Sequence, residues 1–183
     1  GLYILNASDG ALEWMFPTGG GIYASAALAN LDKDGYTEIV VGSTDGTVYC
    51  LQWDGTAGCL EWSFTTGGAV HSSAAIGDVE GDENLEVVVG SYDSRLYCLT
   101  ADGTEQWNRP TGRAIHSSPA LFDCIRVEKP DEPDFEFRNN EWSMFRHDIK
   151  RTGYYGNRPK SQLDVGLYIS VGSDDGFLYL ISG

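Results

Sequence analysis

An all-β fold built from repeated four-stranded antiparallel units is predicted by three observations. Residues 24–62 and 72–107 are nearly the same sequence, and partial copies stand on either side of them. Trp14, Trp62 and Trp107 recur at intervals of 48 and 45 residues, a period typical of solenoids and propellers. Each copy holds four short runs with strand character and none with helical periodicity. Four strands per repeat of this length indicate one blade of a β-propeller.

The four runs of each copy follow a fixed order. The first is rich in small residues (YASAALA, HSSAAIG, HSSPALF), which suit a crowded central channel, and the second is β-branched (EIVVGS, EVVVGS, YISVGS). The third alternates (GTVYCLQ, SRLYCLT, GFLYLIS), and the fourth ends in tryptophan (CLEWSF, TEQW), which suits the wide outer rim. The pattern predicts a single propeller segment with a partial blade over residues 1–19, blades over 20–67 and 68–112, and an interrupted blade over 113–183.

The predicted strand count bears on how the ring closes. Two, four, four and three strands do not form whole blades, and closed propellers have about 4 to 8 of them. We therefore expect either a piece of a larger propeller or a homo-oligomer that completes the ring. Unpaired blade edges would otherwise favour aggregation.

Charge and hydropathy exclude two classes of partner. The formal net charge is -15 with only 12 Lys and Arg residues, which argues against a nucleic-acid ligand. The sequence has no apolar run of the ~18 residues that a membrane span needs, so we expect no membrane span.

The cysteines form no CxxC pair and therefore no zinc motif. Cys50 and Cys98 hold one repeat position, where other copies have Ile4 and Leu180, which favours small buried hydrophobic side chains. The alternative is a disulfide between Cys50 and Cys59, which a two-residue turn at Asp54-Gly55 would place opposite each other. Such a disulfide would indicate an oxidising compartment.

Two acidic loops between the first and second strands are candidate calcium sites. Oxygen-bearing side chains stand at positions 1, 3, 5 and 9, a backbone carbonyl is available at position 7, and the first loop has glycine at position 6. Alternate residues of a tight turn point inward, and a hard cation takes several oxygen ligands. The alternative is a pair of Asx-rich turns without a cation. Magnesium is disfavoured because it keeps several waters. The predicted ligands are Asn30, Asp32, Asp34, Tyr36 (carbonyl) and Glu38, and Asp78, Glu80, Asp82, Asn84 (carbonyl) and Glu86.

These motifs resemble two propeller repeat families. The acidic loop followed by IVVGS resembles the FG-GAP repeat of integrin alpha-subunits and secreted microbial proteins, and the LYCL, DGxxxW and HSSPA segments resemble the PQQ-like repeat of bacterial propellers. The resemblance covers all of the chain except residues 124–164. It implies a propeller with structural Ca²⁺ bound at the positions named above, and it leaves the function open because these repeats serve many roles.

The third copy is interrupted by an insertion at residues 124–164. Its second half packs aromatic residues among basic ones and resembles a segment of secreted propeller proteins. One interpretation is a plug that seals the propeller, and the other is an exposed surface for a glycan or protein ligand. The residues of this candidate surface are Trp142, Phe145, Arg146, His147, Tyr154 and Tyr155.

No catalytic residues are predicted. His147 and Asp148 lack a serine elbow or a second nearby histidine, and His71 and His116 recur where the first copy has Tyr23, which indicates a structural repeat feature. The sequence therefore favours a calcium-binding propeller module of an extracellular, cell-surface or periplasmic protein, working in ligand binding, adhesion or scaffolding. The alternatives are a self-assembling ring or filament subunit, and part of a catalytic propeller. A quinoprotein dehydrogenase would need a set of cofactor-binding residues, and the sequence predicts none. In a calcium-dependent polysaccharide lyase, the candidates for the group that abstracts a proton are Arg146, His147, Lys150 and Arg151.

Overall fold

The computed structural model describes residues 1–125 and 165–182 of the 183-residue chain. These residues form thirteen β-strands and no helix, so they hold no helical segment that could cross a membrane. The strands are β1 (Leu2–Leu5), β2 (Leu12–Phe16), β3 (Ala27–Ala29), β4 (Thr37–Gly42), β5 (Thr47–Trp53), β6 (Gly58–Thr65), β7 (Ala75–Gly77), β8 (Glu86–Ser91), β9 (Arg95–Leu99), β10 (Glu105–Pro110), β11 (Ala120–Ile125), β12 (Val165–Gly172) and β13 (Leu178–Ser182).

The strands form four separate antiparallel sheets. β1–β2 make the first sheet, β3–β6 the second, β7–β10 the third and β11–β13 the fourth, and within each sheet the strands pair in sequence order. This arrangement of two four-stranded units flanked by two shorter ones is the one that the repeats predict. The fold class, an all-β propeller of four-stranded antiparallel blades, is confirmed.

The core lies between the sheets. β8 (EVVVGS) is buried along its whole length. Side chains alternate between the two faces of a strand, so Val87 and Val89 join a cluster with Val40 and Val48 of the second sheet. Val88 joins a second cluster with residues of the fourth sheet. Each full burial of a valine contributes about 1.5–3 kcal/mol, so the valines packed between neighbouring blades contribute strongly to the stability of the fold.

The first and last strands of the blades take the places that their composition predicts. β7 contacts both β3 and β11, so the small first strands of three blades lie side by side. The tryptophan of the last strand reaches the next blade, since Trp62 Nε1 donates a hydrogen bond of 2.8 Å to the Ala101 carbonyl. The aromatic rim therefore connects neighbouring blades.

A second connection between blades uses an aspartate after each second strand. Asp93 Oδ2 accepts hydrogen bonds from the Gly67 amide at 2.7 Å and from the Tyr97 hydroxyl at 2.6 Å. Burial and the neighbouring Asp93 raise the pKa of Tyr97 to about 12. Asp175 repeats the arrangement with the Gly112 amide and the hydroxyl of Tyr179. The aspartate thus holds the Thr-Gly turn at the end of the preceding blade.

The predicted two-residue turn between β5 and β6 is wrong, and so is the disulfide that depends on it. Gln52, not Cys50, pairs with Cys59. Asp54 Oδ1 accepts hydrogen bonds from the Thr56 and Ala57 amides, which organises a wider loop than the Asp-Gly pair suggests. Cys50 and Cys59 are free thiols, the first buried and the second exposed. The interpretation of Cys50 and Cys98 as small buried hydrophobic residues agrees with their full burial.

Candidate metal centre

The first acidic loop, residues 30–38, connects β3 to β4. Its backbone turns through two residues with positive φ, Lys33 at 66° and Gly35 at 97°. The aspartates order the turn from within. Asp32 Oδ1 accepts a hydrogen bond of 3.0 Å from the Asp34 amide, and Asp34 Oδ1 accepts one of 2.8 Å from the Tyr36 amide. Such Asx turns hold the acidic side chains on the inside of the loop.

Three carboxylates converge within this loop. One oxygen each of Asp32, Asp34 and Glu38 lie within 4.8 Å of one another. Glu38 is fully buried, and its Oε2 accepts a hydrogen bond from the Leu31 amide. Glu38 Oε1 and Asn30 Oδ1 are buried without a hydrogen-bond partner among the described residues. Buried oxygens in native proteins are nearly always paired, so these two call for a further partner.

The electrostatics of the loop favour a positive ligand. Burial raises the pKa of Glu38, as do the negative charges of Glu61, Asp32 and Asp34, while the hydrogen bond from the Leu31 amide opposes the rise. The pKa of Glu61 is also raised, first by its own burial and then by Asp32 and Asp34. A cation at this position would reverse both effects, because it stabilises the ionised form of every carboxylate near it.

Two residues that the sequence did not point to belong to this site. Gln52 lies opposite Glu38 in the β4–β5 register, and its Nε2 donates a hydrogen bond of 2.7 Å to Asp34 Oδ2. Glu61 lies on β6, and its Oε2 accepts the Cys50 thiol at 3.7 Å. The sequence could have predicted the position of Gln52, because pairing β4 with β5 places Gln52 opposite Glu38. The position of Glu61 depends on the bulge in the β5–β6 register.

The second acidic loop, residues 78–86, differs in how its carboxylates are used. Glu86 repeats the role of Glu38, because it is buried and its Oε2 accepts a hydrogen bond of 2.7 Å from the Val79 amide. Burial raises the pKa of Glu86 to about 7. Asp78 is engaged by the Asp82 and Glu83 amides at 3.0 Å each, and Asp82 by Asn84. Glu80 is exposed. Across residues 1–125 and 165–182, the first loop alone gathers three potential metal ligands.

The two loops share a backbone shape although their glycines are exchanged. Position 4 has positive φ in both loops, at Lys33 and at Gly81, and so does position 6, at Gly35 and at Glu83. The second loop therefore has its glycine at position 4, whereas the first loop has its glycine at position 6. Each loop places one non-glycine residue in the left-handed region, where a Cβ costs about 1–2 kcal/mol.

Two predicted ligands lie on the exposed side of the loops: the side chain of Tyr36 is exposed, and Asn84 Oδ1 accepts a hydrogen bond of 3.1 Å from Lys33 Nζ. The second contact places the two acidic loops next to each other. The candidate surface of the insertion lies outside the described residues; its members are Trp142, Phe145, Arg146, His147, Tyr154 and Tyr155.

The arrangement of the first loop fits a hard cation. Three carboxylates and an amide oxygen are the ligand types that Ca²⁺ takes, and the unpaired buried oxygens of Asn30 and Glu38 are the ones that such an ion would satisfy. An ion there would also connect β3 to β4, since its ligands come from the end of one strand and the start of the next.

Comparisons with known proteins return solved structures and one protein family. Two crystal structures of BBS1N in complex with ARL6DN, soaked with mercury and with lead, match at 14% and 15% sequence identity and TM-scores of 0.48 and 0.41. The matches cover 98% and 89% of this chain but 43% and 52% of those chains, so the chain spans about half their length. The comparison with curated proteins returned no significant match.

A family match covers the first two and a half blades. The model of the lambda-carrageenase β-propeller domain matches residues 1–106, which include the first two sheets, both acidic loops and most of the third sheet. The match takes in more than half of the chain, and its fold agrees with the four antiparallel sheets. The chain therefore belongs to the lambda-carrageenase β-propeller domain family.

Proposed function

We propose that the chain is a calcium-stabilised β-propeller module that binds a glycan within a larger extracellular, cell-surface or periplasmic protein. The observation that carries the calcium part is the first acidic loop, where Asp32, Asp34 and Glu38 converge around buried oxygens that lack partners. A buried carboxylate without a counter-charge costs several kcal/mol. A divalent cation removes this cost and the mutual repulsion of the three acids.

The ion would act on structure and not on chemistry. Asn30, Asp32, Asp34 and Glu38 would hold it, and Gln52 would keep Asp34 in position from β5. Because the ligands stand on either side of the β3–β4 connection, the bound ion would fix the innermost strand of the blade to its neighbour. The acidic loops followed by β-branched strands support an FG-GAP-like repeat of this kind.

The glycan part rests on the family. Lambda-carrageenase acts on a polysaccharide, and a propeller that belongs to the same domain family fits a role in holding such a chain. Calcium sites of extracellular modules have Kd values of about 10⁻⁴–10⁻³ M, which suits an exposed loop of this type. A catalytic propeller is the second candidate function, because the matched family is named for an enzyme. We assign no catalytic residues within residues 1–125 and 165–182.

A thermal melt of the intact chain in excess calcium and in chelator tests the calcium part. Calcium at 100 times its Kd should stabilise the fold by about 2.7 kcal/mol. At about 2–4 °C per kcal/mol for a chain of this size, that is a rise in Tm of roughly 5–10 °C. Magnesium at the same concentration should give a smaller rise, because it demands octahedral geometry and keeps its waters.

The matched variants are Asp34→Asn and Asp9→Asn. An asparagine at position 34 can still accept the Tyr36 amide through Oδ1, while the substitution removes the charge and the acceptor for Gln52 Nε2, so it should abolish most of the calcium-dependent rise. Asp9 caps the exposed β1–β2 turn in the same manner and should leave the rise unchanged. Equal melting in calcium and chelator for the unsubstituted chain would show that the loop is an ordinary Asx turn.

A further inference from the structure

The two acidic loops meet through the side chain of Lys33, which belongs to the first loop. Its Nζ donates a hydrogen bond of 3.1 Å to Asn84 Oδ1 of the second loop, 51 residues further along the chain. Asn84 continues the chain of contacts, because its Nδ2 and its backbone amide donate to the two oxygens of Asp82, at 2.9 Å each. The ammonium of one blade is therefore coupled, through one side-chain amide, to a carboxylate of the next blade.

Lys33 also lines an acidic cleft between the loops. The cleft has a volume of about 480 Å³, and its lining includes the carboxylates of Asp32, Asp82, Glu86 and Asp102. In the described part of the chain, Lys33 is the one basic residue of that lining. It is also the one lysine among residues 1–125 and 165–182. The ammonium therefore lies where carboxylates of both acidic loops face a common space.

The backbone at position 33 does not favour a lysine. Lys33 has a φ of 66°, in the left-handed region, and the corresponding residue of the second loop is Gly81 at 74°. Glycine at position 33 would avoid the cost of a Cβ in this region, about 1–2 kcal/mol. Non-glycine residues held in such conformations are common at functional sites. The retention of a lysine here is explained by what its ammonium contacts.

The aspartates of the second loop are paired without a metal ion. Both oxygens of Asp78 accept backbone amides of the loop, at 3.0 Å each, and both oxygens of Asp82 accept from Asn84. In the first loop, by contrast, the buried oxygens Asn30 Oδ1 and Glu38 Oε1 have no partner among the described residues. Buried oxygens without partners are thus found in the first loop and not in the second, within residues 1–125 and 165–182.

We propose that Lys33 supplies the positive charge of the second acidic loop in place of a metal ion, so that the chain holds one calcium ion, in the first loop. The tethered ammonium offsets the negative charge of the second loop and repels a divalent cation that approaches it. Because its Nζ is bonded to Asn84, it leaves the carboxylates of its own loop to the ion. The count of one ion rests on the proposed function, whereas the role of Lys33 rests on its contacts.

Equilibrium dialysis of the intact chain against radioactive calcium counts the ions. The unsubstituted chain should hold one ion at saturation. Lys33→Met keeps a long side chain and removes its charge, so it should hold two ions, the second with a Kd of about 10⁻⁴–10⁻³ M. The slope of Tm against the logarithm of free calcium concentration should then about double. Lys33→Arg keeps the charge and should hold one ion.

Arg113→Met is the matched control, because it removes one positive charge from an exposed residue in the connection between β10 and β11. It should hold one ion, which separates the local effect of Lys33 from that of the net charge. Two additions to Lys33→Met assign the ions to the loops. Glu80→Gln should weaken the second ion and leave the first, whereas Asp34→Asn should remove the first and keep the second. Melts of every variant establish that the fold is kept.

The ion counts decide the proposal and the proposed function separately. One ion in the unsubstituted chain and two in Lys33→Met support the proposal. Two ions in the unsubstituted chain, or one in both chains, overturn it and leave the calcium-stabilised module in place. A single ion in Lys33→Met alone, weakened by Glu80→Gln, would keep the role of Lys33 and refute the first-loop ion. A second ion in Arg113→Met, a second ion that Glu80→Gln leaves unchanged, or no ion in any variant also overturns the proposal.

Discussion

Replacement of Gly90 by alanine should destabilise the chain through one inter-blade contact. Gly90 lies near the end of β8, where its amide and carbonyl both bond to Ser72 Oγ at 2.8 Å. A Cβ on Gly90 would lie 2.9 Å from Ile115 Cβ and closer still to Ile115 Cγ2. Ile115 belongs to the next blade and is fully buried. The glycine of the EVVVGS motif therefore allows that blade to approach.

The loss of stability in Gly90→Ala depends on how far the surrounding atoms must move to admit the new Cβ. Carbon atoms prefer separations of about 3.5–4.0 Å, so Ile115 or the backbone of β8 would have to shift by about 1 Å. The two hydrogen bonds to Ser72 hold the backbone, and the surroundings of Ile115 are close-packed. Overpacking of this kind costs typically 1–3 kcal/mol, and we expect the upper part of that range for Gly90→Ala.

Urea unfolding in calcium measures the effect, with Gly172→Ala as the matched control. Gly172 holds the same position on β12 and makes the same pair of hydrogen bonds, to Ser117 Oγ, but its added Cβ would meet only the Ser117 side chain, with Oγ at 3.4 Å and Cβ at 3.8 Å. The control should change stability by less than 1 kcal/mol. In a double-mutant cycle, Ile115→Ala should relieve the clash, so that the two costs are less than additive. Equal destabilisation by Gly90→Ala and Gly172→Ala would refute the steric argument.

Two further predictions concern titration and thiol exposure. Because burial raises the pKa of Glu86 from 4.5 to about 7, the folded state holds the extra proton in that window. In chelator its stability should therefore fall, by at most about 3 kcal/mol, as pH rises from about 4.5 to 7. Glu86→Gln should flatten this pH profile of Tm, the exposed Glu83→Gln should not, and identical profiles would contradict the assignment. Native alkylation followed by peptide mapping should label Cys59 quickly and Cys50 and Cys98 slowly, since burial raises the pKa of both buried thiols, to about 12 for Cys98; recovery of a linked Cys50–Cys59 peptide would disprove the observed register.

The blade architecture could be predicted because its signals are local. Strands such as EIVVGS and the turns between them depend on residues within a few positions of one another. The same pattern occurs in each copy of the repeat, so each strand is predicted more than once. The first acidic loop was equally accessible, since its candidate ligands Asn30, Asp32, Asp34 and Glu38 fall within nine residues. The hairpin after β5 was predicted wrongly for a local reason: the Asp54 side chain organises a wider loop than its Asp-Gly pair suggests.

The sequence by itself thus determined the fold class, the order of the strands and the position of the acidic loops. Only the tertiary structure decided which residues distant in sequence meet. It places Glu61 beside the first acidic loop, and it stacks the rings of Tyr23, His71, Tyr92 and His116 across three blades. It also decided that the carboxylates converge in the first loop, while Asp78 bonds to the backbone of the second. The physical reason is that local patterns specify each strand, whereas contacts between residues 20 to 50 positions apart arise only when neighbouring blades pack their buried faces together.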